Sequence, residues 1–462
     1  MSSFSKKLTA LNTNRVNGWA TYKELTTNNV KLDRIASECS NDPDIIMNSI
    51  VAELNRIKYI AFGKVKVRKK IDNKLDELDE LIAKKAKLYV EDSKSKMSDL
   101  EEKISKELQK KQKQNIENEI SNLKSIRESK GKSASVFRLK EKIVGKKKAS
   151  DGPSVVLDPK TNNPIFKPSS ILKASVDYCK QLLTNDEPKD DFDKDLKLKR
   201  MVHDVRMKEA YNEDYELTEE MFADVLKKLR RKCGEKYKFI LQSGNSLKSA
   251  LFKLYKVVWE TEQKPGSWRD TVIVQINKDN KSDKGDLTKK RNIHTKTDIA
   301  KVFGHIITDS IKPIVVNNMT PSQIGAIPGH RSEEHLFTLK SIAALAEKNA
   351  SAIAVNLMDI SKYMDKEVLI DAMNELYKVN VKGKLYKLIY ELNKDVRIRV
   401  RTAVGESETK ETGEQISQGS IDARIECSVN LGKGVDDFFE SSEDEISYGS
   451  VQLLPQSFQD DL

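Results

Sequence analysis

Residues 395–420 read DVRIRVRTAVGESETKETGEQISQGS. Val396, Ile398 and Val400 alternate with Arg397, Arg399 and Arg401, the period-2 pattern of a strand with one apolar and one arginine face. A Gly-containing turn and a return strand follow, so a hairpin is predicted here. Three guanidinium groups along one strand match a phosphate backbone, although most such faces are simply solvated. Two more β-branched runs, DTVIVQI (270–276) and SAIAVNLM (351–358), alternate with helical stretches such as KEVLIDAMNELYKV (366–379), whose Val368, Ala372 and Leu376 share a face. That alternation is the pattern of an α+β or α/β domain.

Upstream the texture is helical. In EEMFADVLKKLRRKC (219–233) and LKSALFKLYKVVWE (247–260) the apolar residues recur at helical spacing, with Leu247, Leu251, Leu254 and Val258 on one face. Residues 144–170, VGKKKASDGPSVVLDPKTNNPIFKPSS, concentrate Gly, Pro, Ser and Asn and read as a linker with turns. Residues 65–130 hold neither Pro nor Gly from Lys66 on and space Ile71, Leu75, Leu78 and Ile82, then Met97, Leu100, Ile104 and Leu108, at threes and fours. Breaks in register favour two or three basic helices folding back over one rod, with self-association an open option.

Composition narrows the partners. Lys and Arg number 82 against 71 Asp and Glu in 462 residues, a basic, intermixed surface suited to a polyanion as well as to a plain charged helical protein. Cys39, Cys179, Cys233 and Cys427 form no CxxC pair, which argues against a zinc module or disulfide framework and fits a reducing intracellular compartment, cytoplasm or nucleus. The first residues, MSSFSKKLTALNTNRV, lack the apolar core of a secretory signal, and no run approaches the roughly 18 apolar residues of a membrane span. No membrane role is expected.

The C-terminal half carries the candidate chemistry. The apolar run Ala352 to Met358 ends at Asp359, where a carboxylate can project from a sheet rim to hold a metal; alone, it reads more readily as a helix cap. After Gln418 and Gly419, Ile421, Ile425 and Val429 recur every four residues and predict a helix, whose continuation carries an exposed-end Asp436-Asp437 pair. SYGSVQLLPQSFQDDL (447–462) gives a turn, an apolar stretch and then Asp460 and Asp461. His330 and His335 are five residues apart, which does not fit a helical His-x-x-x-His metal pair, so capping or hydrogen bonding is expected of them.

Asp359 with Asp365 six residues on, Gln418-Gly419, and the aromatic-x-Asp-Asp of Phe458, Gln459, Asp460 and Asp461 together resemble the palm of a reverse transcriptase of non-LTR (LINE-like) retrotransposons. Upstream, WETEQKPGSWRDTVIVQINKD (259–279), with Trp268 and Lys278, resembles the entry into the fingers, and KKRNIHTKTDIAKVF (289–303), with Arg291, resembles a fingers segment. SQIGAIPGHRSEEHLFTLKSI (322–342) resembles the Gln-x-Gly segment, here Gln323 and Gly325, before the first catalytic strand. No single motif is specific; their order is. The resemblance covers about residues 246–462, with a weaker match back to about 135.

The resemblance implies an α+β chain: an N-terminal helical segment (1–64), basic coiled-coil-like helices (65–143), a linker (144–170), a helical pre-polymerase region (171–245), and the fingers with the N-terminal part of the palm (246–462). It implies RNA-templated DNA synthesis on a DNA primer from deoxynucleoside triphosphates. Asp359 and Asp460 would hold Mg²⁺ or Mn²⁺, with Asp461 the neighbouring catalytic acid. Lys278 and Arg291 would contact the triphosphate, and Gln418, Gly419 and Met364 the nucleotide and its template. Arg397, Arg399 and Arg401 remain the candidate nucleic-acid face.

Three departures stand out. Met364 occupies the position where the family usually has the aromatic residue that excludes a 2′-hydroxyl, with Tyr363 one earlier, which unsettles sugar discrimination. Asp422, Arg424 and Glu426 follow the Gln-Gly where small or apolar residues are usual, and each costs energy if buried unpaired. The strand and thumb expected after Asp461 are absent, so a truncated, inactive polymerase is expected. A non-catalytic nucleic-acid-binding or coiled-coil scaffold carrying a relic palm is the alternative.

Overall fold

The computed structural model describes residues 17–37, 40–63, 155–159, 161–184, 190–209, 215–232, 237–278, 285–319, 323–325, 329–350, 363–413, 415–416, 419–440, 447–448 and 451–452. All belong to one unit, Leu11–Lys64 with Ser150–Leu462. The helices proposed for 65–130 and the strand proposed for 352–358 lie outside the described residues.

Three N-terminal helices, α1 (Gly18–Leu25), α2 (Val30–Ser37) and α3 (Pro43–Phe62), open the fold. Asp42 starts α3 by accepting hydrogen bonds from the amides of Asp44 and Ile45, and Pro43 fits the first turn because its missing N–H would have no partner there. A short hairpin, β1 (Val156–Leu157) with β2 (Pro164–Ile165), lies within the stretch read as a linker, and its Val156 packs with Ile171 and Leu287. Then come α4 (Pro168–Leu182), α5 (Asp190–Lys208), α6 (Glu219–Lys232), α7 (Lys238–Leu241) and α8 (Asn245–Thr261). Leu247, Leu251, Leu254 and Val258 are buried on α8, as their spacing predicts.

The main sheet contains β3 (Asp270–Asn277), β4 (Lys290–Thr295), β5 (Arg397–Thr402), β6 (Gly405–Glu406) and β7 (Lys410–Glu411). Its order is β4-β3-β5-β6, with β7 also pairing with β5. β3 and β4 form an antiparallel hairpin, whereas β3 and β5 run parallel. A parallel pair needs a crossover, and here it holds α9 (Asp298–Asn318), α10 (Ser332–Lys348), α11 (Tyr363–Lys366), α12 (Leu369–Lys378) and α13 (Gly383–Asn393). The predicted helix after Gly419 is α14 (Ala423–Glu440), and a last small hairpin joins β8 (Ser447–Tyr448) to β9 (Val451–Gln452).

The architecture is therefore mixed and helix-dominated, with one small mixed sheet, consistent with an α+β class. One continuous core joins α1 and α3 to α6, α8, α9, α12, α13 and α14. The sheet has its own smaller core, where Ile273, Ile398 and Val400 meet Val176 and Cys179 of α4 and Leu183 just after it. Among the described residues no helix is long and apolar enough to cross a membrane.

Candidate functional site

The alternation in 396–401 holds: Val396, Ile398 and Val400 are buried, and the arginines stand on the opposite face of β5. Register then decides what accompanies them. Val272 lies opposite Thr295 on one side and Arg399 on the other, Val274 lies between Ile293 and Arg401, and Ile276 faces Arg291. The result is an apolar strip of Val272, Val274, Ile276 and Ile293, flanked by Arg291 on one edge strand and by three arginines on β5. Lys278 lies one residue beyond β3, where its amide bonds Lys289 across the hairpin, and both Lys278 and Arg291 are exposed.

These β5 arginines already have carboxylate partners. Arg397 pairs with Asp270 at 2.9 Å, and Glu406 takes both Arg399 at 3.6 Å and Arg401 at 2.7 Å. With Glu411 opposite Arg397 in the register, four arginines share this face with three carboxylates, a small positive excess. Exposed pairs of this kind are screened and contribute at most about 1 kcal/mol each, so they can exchange partners cheaply.

Gly419 lies against this sheet. Its φ of +99° is unfavourable for other residues, and an added Cβ would sit 3.2 Å from both the carbonyl oxygen of His294 and Cγ2 of Ile293. Only a bare backbone fits against β4. Two contacts hold the preceding residues in place: the Ile416 amide donates to the Glu367 carbonyl, and Gln415 bridges to Val368. Gln418, Asp359, Asp460 and Asp461 lie outside the described residues. Among those described, no three His, Cys, Asp or Glu side chains are grouped to hold a metal.

Behind Gly419 lies a set of charges that sequence reading identified only as a problem. Asp422 and Glu426 are 3% and 0% exposed, while Arg424 points to solvent. Asn393 Nδ2 donates to Asp422 Oδ2 at 2.7 Å and to Glu426 Oε1 at 3.0 Å. Lys296, whose Nζ donates to the Leu392 carbonyl at 2.9 Å, supplies the opposing charge. Burial, reinforced by Asp422, raises the Glu426 carboxyl well above its ordinary range, against the pull of Lys296. Burial also pulls Lys296 down, against the attraction of the two acids. The i, i+4 spacing of Asp422 and Glu426 was the available signal; their partners, far away in sequence, gave none.

Met364 is half-buried against the main core, and the Tyr363 hydroxyl donates to the Cys427 carbonyl at 3.2 Å. Glu367 is buried beside Asn430, whose amide donates to it, and desolvation raises its carboxyl to about 7. His330 Nδ1 lies 2.8 Å from Glu334 Oε2, and the other oxygen of that carboxylate accepts the Arg331 amide at the start of α10, the hydrogen-bonding role expected of His330. Gln323 is buried and accepts from the amide of Gly325.

No protein-family model matches the chain, and no curated protein matches it at a significant level.

Proposed function

We propose that the chain is the fingers and first part of the palm of an RNA-directed DNA polymerase of the non-LTR retrotransposon kind. The observation that carries this reading is the seat of Gly419. Its backbone rests on β4 beside Ile293, at the margin of the same face that bears Arg291, so two motifs more than 120 residues apart in the chain meet on one surface. In the proposed reaction Arg291 and Lys278 hold the incoming triphosphate, the arginine offering a planar fork to two phosphate oxygens. Gly419 lets the backbone approach the nascent base pair, and Arg397, Arg399 and Arg401 follow a phosphate backbone after releasing Asp270 and Glu406. Asp359 and Asp460 are the proposed ligands for Mg²⁺, which when bound would activate the primer hydroxyl and stabilise the leaving pyrophosphate.

The test is extension of a DNA primer on an RNA template by the purified chain in Mg²⁺, together with template-directed retention of the matching deoxynucleotide. The expected result is retention of the matched nucleotide that drops on substitution Arg291→Ala, with any extension abolished by Asp359→Asn. Neither extension nor selective retention would overturn the reading. The second reading, a non-catalytic nucleic-acid-binding protein, draws on the carboxylate pairing of all three β5 arginines; it predicts RNA binding with no preference among deoxynucleotides.

A further inference from the structure

We propose that the outer face of α5 is a self-association surface, on which two copies of the chain pair antiparallel about a two-fold axis near Met201 and Val202. A surface helix normally turns its apolar side to the core. On α5 the arrangement is inverted. Its inner side is polar: Lys199 bridges to Asp371 of α12 at 2.9 Å, Arg206 donates to Asn374 of the same helix, and His203, 2% exposed, lies 2.6 Å from the Tyr386 hydroxyl of α13. Its outer side carries Leu198, Met201, Val202 and Val205, which are 60%, 66%, 37% and 64% exposed. Spacings of three, four and seven place all four in one strip along the helix. A single exposed leucine needs no explanation, whereas a continuous apolar strip on a helix that buries its polar side marks a contact surface.

Charge identifies the occupant. Lys197 and Asp204 lie seven residues apart along one flank of the strip, both exposed, and among the described residues neither is in an ion pair. When a second copy is laid end for end over the strip, Leu198 meets Val205 and Met201 meets Val202. The same placement brings Lys197 of each copy within reach of Asp204 of the other. A two-fold contact requires a surface complementary to itself, and opposite charges straddling the centre of an apolar strip provide one. Parallel pairing would instead set Lys197 against Lys197. Four apolar side chains fall short of the roughly 800 Å² per partner of a standard interface, so the pair is a weak one that forms at micromolar concentration.

This surface does not depend on the functional reading above. Sedimentation velocity on the full chain, from about 1 to about 100 µM, tests it. A monomer that gives way to a dimer within that range is the expected result. Met201→Glu and Val205→Glu, both at positions too exposed to matter to the fold, should each weaken the dimer by about tenfold or more with an unchanged melting temperature. Lys197→Glu and Asp204→Lys should each weaken it several-fold at low salt. The two together exchange the charges across the two-fold axis and should restore the affinity to within about twofold of the parent. That rescue separates this contact from pairing through residues 65–130, which the exchange leaves untouched. A chain monomeric throughout would give the strip to a different protein or to other helices of the same chain, and so overturn the proposal. A dimer indifferent to both glutamate variants, or a double exchange no stronger than the single ones, would overturn it equally.

Discussion

The arginine face of the sheet and the acid cluster behind Gly419 use the same kinds of side chain in opposite ways. On the sheet, Arg397, Arg399 and Arg401 meet Asp270 and Glu406 in the open, where water screens each pair. Behind Gly419, the buried Asp422 and Glu426 meet on Asn393, with the half-buried Lys296 beside them on the Leu392 carbonyl. Exposed charges contribute little to folding and remain available to a ligand; buried ones are committed to the fold and unavailable to anything else. The first set faces a prospective polyanion. The second lies at the entry to α14, just after Gly419.

That contrast can be broken at three points. The largest effect is expected from Lys296→Met, which strands two carboxyl groups without their cation and should cost about 3 kcal/mol or more in urea unfolding. A loss below about 1 kcal/mol would mean the cluster is held by hydrogen bonds alone. Next is Glu367→Gln. Because burial raises Glu367 from 4.5 to about 7, the folded chain keeps a proton that the unfolded chain has released between those values, and stability falls as pH rises through that window. The variant should therefore be more stable than the parent by about 3 kcal/mol at pH 8, with the difference vanishing as pH falls toward 4.5. Thermal melts at three pH values decide it; a pH-independent difference would remove the buried acid from the account. Smallest in stability is Arg401→Ala, expected to shift unfolding by less than about 1 kcal/mol. It should nevertheless weaken nucleic-acid binding and reduce the salt dependence by about one phosphate contact. An unchanged salt slope would assign the arginines to the sheet alone.

Much of the local structure was legible in the sequence because period-2 and period-3.6 patterns are local. Val396, Ile398 and Val400 against the three arginines, and Leu247, Leu251, Leu254 and Val258 on α8, needed nothing beyond their neighbours. The hairpin in 155–165 was hidden because its strands are two residues each, below the length at which alternation can be seen. The acid cluster was half legible: the charges were evident, but Lys296 and Asn393 come from other elements and carry no periodic mark. Likewise Asp270 and Glu406 look like ordinary surface acids until the register places them beside arginines. His294 gave no sign of burial, since only the antiparallel pairing with β3 turns its side chain inward.

The N-terminal helices are joined to α8 by bonds that span more than 200 residues. The Gly244 amide donates to Thr26 Oγ1 at 2.8 Å, and Ser246 Oγ both accepts from the Asn29 amide and donates to the Thr27 carbonyl. Phe239 completes the ring cluster of Trp19, Tyr22 and Phe62. On a ribosome, Phe62 is made 177 residues before Phe239. At about 5–20 residues per second, those rings wait roughly ten to thirty-five seconds for their partner. Synthesis therefore passes through a stage in which Trp19, Tyr22 and Phe62 are made but lack Phe239, and their rings are then open to chaperones and to neighbouring chains on a polysome.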